Sequence, residues 1–396
     1  MDAWTSLCEG PDAVPLEVAG GRVFVAVDIQ GANGTERLRF HVDTGGNTPG
    51  LMLTSTAAAQ LGVERAEQLP TSIAIGGKTF ELPKGARWTI LSEEATSADR
   101  FRRKGFSVGQ LGAGFLSRYL VCIDPATKHL ALSDPERVEI APGDATFTQL
   151  FLQKLGSNQA VYPFVHVQFL EGTQIVAGYV MLVDSGASSS MIEQGQLDYL
   201  HKQHAKWRMS TGSFGDADML GGAMPEQVLE APALRLNTMP SLFGTELLGS
   251  GALVSRARGT FQNMFGNLRP IGIQGALGGD VLTRFRVIID YTKARLYVAP
   301  VPNATPPNWN RVGLSVGYPE GDCPVVQLVS GANAAAKRLV KPKDVLLEVG
   351  PRDACKLWHH ELMEALSGEV RETRRLLLQR SGKRVEVSVP IVQLLR

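Results

Sequence analysis

Two short segments of this chain end in an aspartate that is followed by a small hydroxyl residue and a glycine. Residues 40–46 read Phe-His-Val-Asp-Thr-Gly-Gly, and residues 181–187 read Met-Leu-Val-Asp-Ser-Gly-Ala. Asp43 and Asp184 each close an apolar run, so each carboxyl group is expected at the end of a buried strand. Two carboxyl groups held close together resist double ionisation and share a proton, which suits them to general acid–base chemistry.

The sequence downstream of the two aspartates repeats as well. Gln110–Asp124 and Ala276–Asp290 align without gaps at an offset of 166 residues, whereas the aspartates themselves are offset by 141. A strand–turn–strand pattern precedes each aspartate. The alternative, two chance Asp-Gly turns, leaves these matched segments unexplained. The chain therefore contains two unequal copies of a β-rich unit, and their pseudo-two-fold symmetry would bring both carboxyl groups to one site.

The repeat predicts the organisation of the chain into three domains. Residues 1–148 form the first copy, residues 149–303 form the second, and a proline-rich linker follows. Residues 308–396 show a different pattern, with short strands, a helix near 356–366 and a closing hairpin, which is typical of an α+β domain. A chain of 396 residues is long enough for two or three domains.

Composition excludes several classes of function. The net charge of +1 gives no electrostatic case for binding nucleic acid, and no apolar run reaches the ~18–20 residues of a membrane span. The first residues as given lack a basic region followed by an apolar run, so they do not read as a signal peptide. A removed signal would place the protein in the periplasm or outside the cell.

The cysteines and histidines show no ligand spacing, so no metal and no cofactor is expected. Four cysteines are too few and too scattered for a disulfide scaffold or a zinc site. Cys122 is expected to be an ordinary core residue, while Cys323 and Cys355 could pair in an oxidising compartment. The histidines of two polar helical stretches are expected on solvated faces: His201, His204, His359 and His360.

Each residue of the two triplets has an expected role in supporting the acids. Gly45 and Gly186 allow tight turns and leave backbone N–H groups free to bond the carboxylates. Thr44 and Ser185 can place hydroxyl groups across the interface between the loops and fix their separation. Two further glycines are expected to thread behind the loops: Gly112 and Gly278.

This constellation resembles the aspartic peptidases, both the bilobal pepsin-like enzymes and the retropepsins, over roughly residues 16–300. The resemblance implies a mainly β fold with two tandem β-barrel lobes and a polypeptide substrate. It also implies a water activated between Asp43 and Asp184, where the ionised acid is the general base and the protonated acid bonds the scissile carbonyl. Gly46 and Asn47 depart from the family pattern of small and hydroxyl residues, so one hydroxyl supporting Asp43 is expected to be missing.

A glycine-rich stretch, residues 209–223, has no counterpart in the first copy. Pepsin-like enzymes carry a tyrosine-bearing hairpin flap in the first lobe, and the first copy offers no good candidate. Our hypothesis is that the stretch forms the flap, with Phe214 or Asp216 over the cleft and Gly212 and Gly215 as its glycines. The alternative is an ordinary exposed loop.

The last domain resembles the PDZ domains that are appended to bacterial proteases. The residues that carry the resemblance are Val312-Gly313-Leu314 as the carboxylate-binding loop, Ala334–Ala336 at the start of a short helix, and Lys341–Gly350. Arg338 and Lys343 stand where glycine is usual. The resemblance implies that this domain captures the C-terminal carboxylate of a substrate or partner by strand addition, or that it docks on the protease as a regulator.

Two other functions fit parts of the sequence. Asp184-Ser185-Gly186 echoes the nucleophile segment of PDZ-containing serine proteases, with Ser185 as nucleophile, but Val183 replaces a glycine needed at the oxyanion hole. A protease-like scaffold that binds peptides with weak or no turnover is the other alternative, and Gly46 and Asn47 motivate it.

Overall fold

The expected mainly β fold class is confirmed in the computed structural model. The structure describes residues 3–46, 50–82, 88–91, 108–138, 140, 147–155, 160–212, 226–236, 238–239, 245–247, 251–256, 272–304, 308–318 and 323–395. No helix within these ranges is long and apolar enough to cross a membrane.

Within the described residues, the first copy of the repeat forms a lobe with ten strands and three short α-helices. Thr54 caps the second helix by accepting a hydrogen bond from the Ala57 N–H group. Strands β5 and β6 form a hairpin that turns at Gly76 and Gly77, and both glycines have positive φ. The strands are β1 (Ala13–Ala19), β2 (Arg22–Gly31), β3 (Gly34–Val42), β4 (Leu51–Thr54), β5 (Ser72–Ile75), β6 (Lys78–Glu81), β7 (Thr89–Leu91), β8 (Gly109–Leu111), β9 (Leu120–Asp124) and β10 (His129–Ser133), and the helices are α1 (Ala3–Cys8), α2 (Ser55–Gln60) and α3 (Ala113–Leu116).

The second copy forms a lobe with the same order of elements around its aspartate. Its expected helix is present as α4 (Gln194–Gln203), and a short helix α5 (Gly279–Leu282) follows the second leucine-glycine pair. The strands are β11 (Phe147–Gln149), β12 (Phe151–Leu155), β13 (Ala160–Glu171), β14 (Gln174–Val183), β15 (Ser190–Glu193), β16 (Met209–Gly212), β17 (Glu226–Ala231), β18 (Ala233–Leu236), β19 (Thr238–Met239), β20 (Thr245–Leu247), β21 (Gly251–Arg256), β22 (Ile273–Leu277), β23 (Phe285–Asp290) and β24 (Arg295–Pro300).

Strand pairing around the two aspartates is the same in both lobes. The strand that leads into each aspartate pairs in parallel with the strand that ends in leucine: β3 with β8, and β14 with β22. The strand that follows each aspartate pairs antiparallel with that same partner: β4 with β8, and β15 with β22. Each aspartate therefore lies in a loop that is held from behind by a strand from later in its own lobe.

A single sheet connects the lobes. Strand β9 of the first lobe pairs antiparallel with β23 of the second, with Val121 opposite Ile289 and Ile123 opposite Val287. The flanking strands β10 and β24 extend this sheet on either side. Alternate side chains such as Val121, Val287 and Ile289 are buried in a core that both lobes share.

The residues after 308 form a smaller α+β unit with its own hydrophobic core. Two helices, α6 (Ala334–Leu339) and α7 (His359–Ala365), accompany its sheet, in which β26 lies at one edge. Lys343 takes a left-handed conformation with φ +76°, a backbone geometry that favours glycine. The strands are β25 (Asn310–Arg311), β26 (Leu314–Gly317), β27 (Val325–Val329), β28 (Val345–Val349), β29 (Arg352–Asp353), β30 (Thr373–Arg380), β31 (Lys383–Pro390) and β32 (Val392–Gln393).

Two expectations about single residues were wrong. Cys122 is not an ordinary core thiol, because it forms a disulfide with Cys8 that ties α1 to the sheet connecting the lobes. His359 does not lie on a solvated face: it is 1% exposed, and its ring meets that of Tyr318 edge-on. Cys323 and Cys355 do pair.

The C-terminal unit packs against both lobes. On the first lobe, the Arg39 guanidinium lies 3.5 Å from the ring centre of Phe24 and 4.7 Å from that of Trp358, a cation–π arrangement. On the second lobe, Leu394 and Leu395 share a small apolar cluster with Val228 of β17. The C-terminal unit thus contacts the first lobe through Trp358 and the second lobe through Leu394 and Leu395.

Removal of the Cys8–Cys122 disulfide should destabilise the protein. The bond joins residues 114 apart in sequence, and we expect the Cys8→Ala/Cys122→Ala variant to lose about 2–4 kcal/mol of unfolding free energy in urea denaturation. The matched Cys323→Ala/Cys355→Ala variant removes a disulfide whose cysteines are only 32 residues apart in sequence. It should lose about 1 kcal/mol less, because loop-closure entropy grows slowly with length. Wild-type stability of the first variant would contradict the prediction.

Candidate active site

The structure brings Asp43 and Asp184 together at the interface between the lobes. Asp43 follows β3 and donates its backbone N–H to the Leu111 carbonyl at 3.0 Å, and Asp184 follows β14 and donates to the Leu277 carbonyl at 3.0 Å. Because each strand end is fixed by its parallel neighbour, the two loops approach each other from opposite sides of the pseudo-two-fold axis. A side-chain hydrogen bond joins the two carboxyl groups.

The residues after the aspartates lock the two loops to each other. The Thr44 N–H donates to Ser185 Oγ, and the Ser185 N–H donates to Thr44 Oγ1, each at 3.1 Å. Thr44 Oγ1 in turn donates to the Val183 carbonyl at 2.6 Å, and Ser185 Oγ donates to the Val42 carbonyl at 2.7 Å. Each hydroxyl group therefore bonds the backbone of the opposite lobe, and these four bonds fix the separation of the acids.

The glycines after the hydroxyl residues let the carboxyl groups approach. The N–H group of Gly45 donates to Asp43 Oδ1 at 3.0 Å, and that of Gly186 donates to Asp184 Oδ1 at 2.9 Å. A Cβ atom on Gly45 would lie 2.5 Å from the Asp184 Cγ atom, and one on Gly186 would overlap the Asp43 carboxyl group. Glycine is thus required at both positions by close approach of the opposite acid.

The electrostatic environments of the two acids differ. Burial, repulsion by Asp184 and the hydrogen bond to Asp184 all raise the pKa of Asp43 well above its usual value. Burial also raises the pKa of Asp184, but its bonds from Asp43, Gly186 and Ala187 and the charge of Arg22 oppose the increase. Both pKa values are therefore raised, that of Asp43 more strongly, and the two acids titrate as a coupled pair.

Gln110 supports the first acid in place of the missing hydroxyl group. Its Nε2 atom donates to Asp43 Oδ2, and a Cβ atom on Gly46 would overlap that Nε2 atom. The absence of a side chain at Gly46 leaves space for the Gln110 amide to reach the Asp43 carboxyl group. Asp43 therefore has a side-chain hydrogen-bond donor although residue 46 provides none. In the repeat alignment Gln110 corresponds to Ala276 and Gly46 corresponds to Ala187, so the two substitutions occur together.

The second loop is braced differently, from behind. Ser190 Oγ donates to Asp280 Oδ1 at 2.7 Å and accepts from the Gly278 N–H at 3.0 Å. A Cβ atom on Gly278 would overlap the backbone of Ser189, which explains the glycine at this crossing. Its counterpart in the first lobe, Gly112, stands at the start of α3.

Arg22 reaches the second loop from the first lobe. Its side chain is buried, and its Nε atom donates to the Gly186 carbonyl at 2.9 Å. The positive charge stabilises ionised Asp184 and so lowers its pKa against the effect of burial. The first lobe thus contributes both the partner acid and a cation that opposes the rise in the pKa of Asp184.

The other expected site residues lie elsewhere or outside the described residues. Gly212 ends β16, which pairs with β17 as a hairpin, but Phe214, Gly215 and Asp216 lie outside the described residues. The Val312-Gly313-Leu314 segment leads into β26, which begins at Leu314, and Gly313 has φ +83°. Within the described ranges no group of three or more His, Cys, Asp or Glu residues is placed to hold a metal ion.

Three supporting contacts were not foreseen from the sequence: those of Gln110, of Arg22, and of the Ser190–Asp280 pair. The repeat alignment carried a signal for Gln110. It stands directly before the leucine-glycine pair of the first copy, where the second copy has Ala276. Arg22 carried none, because an arginine at the start of a strand is ordinary. Its role follows only from the packing of the β1–β2 turn against the second loop.

Comparison with known proteins finds similarity among solved structures but not among family profiles or curated proteins. No known family profile matches the sequence, and no curated protein matches it. Among the solved structures that match is an aspartic proteinase from Irpex lacteus, with 13% sequence identity and a TM-score of 0.41. The match covers 73% of this chain and 97% of that chain.

Loss of the Thr44 hydroxyl group should weaken the contact between the loops. In Thr44→Val the Ser185 N–H loses its acceptor and the Val183 carbonyl loses its donor in a buried site, so we expect a loss of about 1–3 kcal/mol in unfolding free energy by urea denaturation. Thr44→Ser keeps the hydroxyl group and is the matched control, with a smaller loss expected. Equal losses in the two variants would contradict a role for the hydroxyl group.

Replacement of Gln110 by leucine should raise the pKa of Asp43. The amide stabilises the ionised carboxylate, so its removal favours the protonated form further. Carboxyl ¹³C NMR titration should show the Asp43 transition at higher pH in Gln110→Leu, with the signal assigned through Asp43→Asn. Gln168→Leu, which removes a glutamine bonded to Arg235 on β18, is the control. An Asp43 transition unmoved in Gln110→Leu would disprove the contact.

Proposed function

We propose that this protein is an aspartic endopeptidase that hydrolyses peptide bonds with a water molecule activated between Asp43 and Asp184. The observation that carries the proposal is the pair of hydrogen-bonded carboxyl groups held at one site by the Thr44–Ser185 contacts. A shared proton on such a pair provides a base and an acid at the same time. No metal and no covalent intermediate is needed for this route.

The two acids take different roles in the proposed reaction. Ionised Asp184 removes a proton from the water as it attacks the scissile carbonyl, and protonated Asp43 donates a hydrogen bond to the carbonyl oxygen. The proton that Asp184 took from the water then passes to the leaving amine. The Gly45, Gly186 and Ala187 N–H groups and the Gln110 amide hold the carboxyl groups in position for these transfers.

Ser185 does not suit the role of a nucleophile. Its side chain is 3% exposed, and its hydroxyl group donates to the Val42 carbonyl while accepting from the Thr44 N–H. A nucleophilic serine needs an adjacent base and access to substrate, and Ser185 Oγ bonds no histidine among the described residues. These contacts favour the aspartic mechanism over the serine alternative.

The C-terminal unit is proposed to recruit a polypeptide by its C-terminus. Among the described residues strand β26 lies at an edge of its sheet, and the Val312-Gly313-Leu314 segment leads into it as in a carboxylate-binding loop. The hypothesis that residues 209–223 form a flap stays with this proposal, supported by the β16–β17 hairpin that begins it. The two disulfides support a location in an oxidising compartment.

Proteolysis across pH tests the proposed activity. We expect cleavage of an unfolded protein substrate with a bell-shaped dependence of kcat/KM on pH, rising as Asp184 ionises and falling as Asp43 loses its proton. Because both pKa values are raised, both limbs should lie above pH 3.8, the ordinary pKa of an aspartic acid. Asp184→Asn and Asp43→Asn should each abolish activity, and pepstatin should inhibit the wild type.

Two outcomes separate the alternatives. Ser185→Ala keeps both acids, so full loss of activity in that variant together with retained activity in Asp184→Asn would favour the serine mechanism. No cleavage by the wild type at any pH, with tight binding of peptides, would favour the silent scaffold. Gln110 motivates that second candidate, because its amide occupies an oxygen of Asp43.

A further inference from the structure

A cleft of about 250 Å³ lies where the two lobes meet the C-terminal unit. It is separate from the pair of acids and opens behind the second loop, with residues 188–189 on one wall. The turn between β1 and β2 forms a second wall, and residues 308–311 with helix α7 form the third. Its size is below the ~300–1,000 Å³ of sites for drug-sized ligands, so its occupant must be small.

The charged groups that line the cleft are mostly cationic. Three guanidinium groups come from three different parts of the fold, and two histidines of α7 stand beside them. Among the described residues that line the cleft, a single carboxyl group opposes them. The lining groups are Arg22, Arg284, Arg311, His359, His360 and Asp280. Three cations converging on a small concave site favour an oxyanion, because guanidinium groups bind carboxylate and phosphate oxygens with two parallel hydrogen bonds.

Asp280 is the second feature that points to a ligand. Its side chain is 7% exposed, and its Oδ1 atom accepts from the N–H and hydroxyl groups of Ser190. Its Oδ2 atom is buried and has no hydrogen-bond partner among the described residues. Buried polar atoms are rarely left without a partner, and a protonated Oδ2 would donate a hydrogen bond to an oxyanion in the cleft.

The protonation of Asp280 is within reach of ordinary conditions. Burial raises its pKa to about 6, although the bonds from Ser190 and the charge of Arg284 act against the increase. The pKa of His360 is lowered by burial and by the positive charge of Arg39. Glu17 and Glu361 also act on His360, in the opposite sense.

We propose that this cleft is a binding site for a small oxyanion, either a free ion or the carboxylate at the end of a polypeptide. The guanidinium groups bind the anionic oxygens, and Asp280 donates a hydrogen bond when it is protonated. The bound anion would bridge the C-terminal unit to the second catalytic loop, because Arg22 contacts both the cleft and the Gly186 carbonyl. Binding does not depend on peptidase activity.

Inorganic sulfate is the probe, because its charge does not change between pH 5.0 and pH 7.5. Calorimetric titration of the full chain at constant ionic strength should show one site whose affinity is greater at pH 5.0. Asp280→Asn mimics the protonated acid, keeps an acceptor for Ser190 and removes the opposing charge. It should bind sulfate about tenfold more tightly than the wild type at pH 7.5.

Arg311→Gln should weaken sulfate binding by about tenfold, through loss of a charge-assisted contact. Arg311 lies over the Trp309 ring. Arg295→Gln is the matched control, since Arg295 lies over the Phe147 ring but does not line the cleft. It should leave the affinity unchanged. Opposite shifts in Asp280→Asn and Arg311→Gln cannot both come from misfolding.

Competition with sulfate by two peptides identifies the source of the oxyanion. One peptide has a free C-terminal carboxylate, and the other is its C-terminal amide. Displacement of sulfate by the acid but not by the amide would assign the site to a polypeptide terminus, and displacement by neither would assign it to a free ion. Absence of sulfate binding in the wild type, equal affinity of Arg311→Gln and wild type, or no gain in Asp280→Asn would each overturn the proposal. None of these results bears on peptide hydrolysis.

Discussion

The contact between the Thr44 and Ser185 loops is the constraint on which the rest of the structure depends. Two carboxyl groups repel each other when both are ionised, and burial adds to that cost. Four hydrogen bonds between the Thr44 and Ser185 loops hold the two carboxyl groups close together despite this repulsion. Since both pKa values are raised in the folded state, the acids favour folding while they are protonated, and this contribution is lost as the pH rises through those values.

The two lobes hold their aspartates in position with different hydrogen bonds. In the second lobe the loop backbone donates twice to Asp184, and Ser190 and Asp280 brace the crossing behind it. In the first lobe a side-chain amide reaches Asp43 from the adjacent strand through the space left by a glycine. The two carboxyl groups therefore have different surroundings, and the pKa of Asp43 is raised more strongly than that of Asp184.

Much of the fold and of the site followed from the sequence, because both depend on local patterns. The repeated Asp-hydroxyl-glycine triplets, the hairpin at Gly76 and the helix Gln194–Gln203 are set by short-range spacing. The Cys8–Cys122 bond was missed because pairing across 114 residues cannot be inferred from spacing. His359 was misplaced because its helix packs a polar residue against Tyr318, which depends on tertiary contacts alone.

The sheet that runs through β9 and β23 also determines how the molecule can move. A hinge between the lobes would have to break the ladder that pairs Val121 with Ile289 and expose the core beneath it. The two halves therefore behave as one mechanical body, further tied by the C-terminal unit that touches both. Any movement that widens the surroundings of the acids while this ladder stays intact must come from elements outside it.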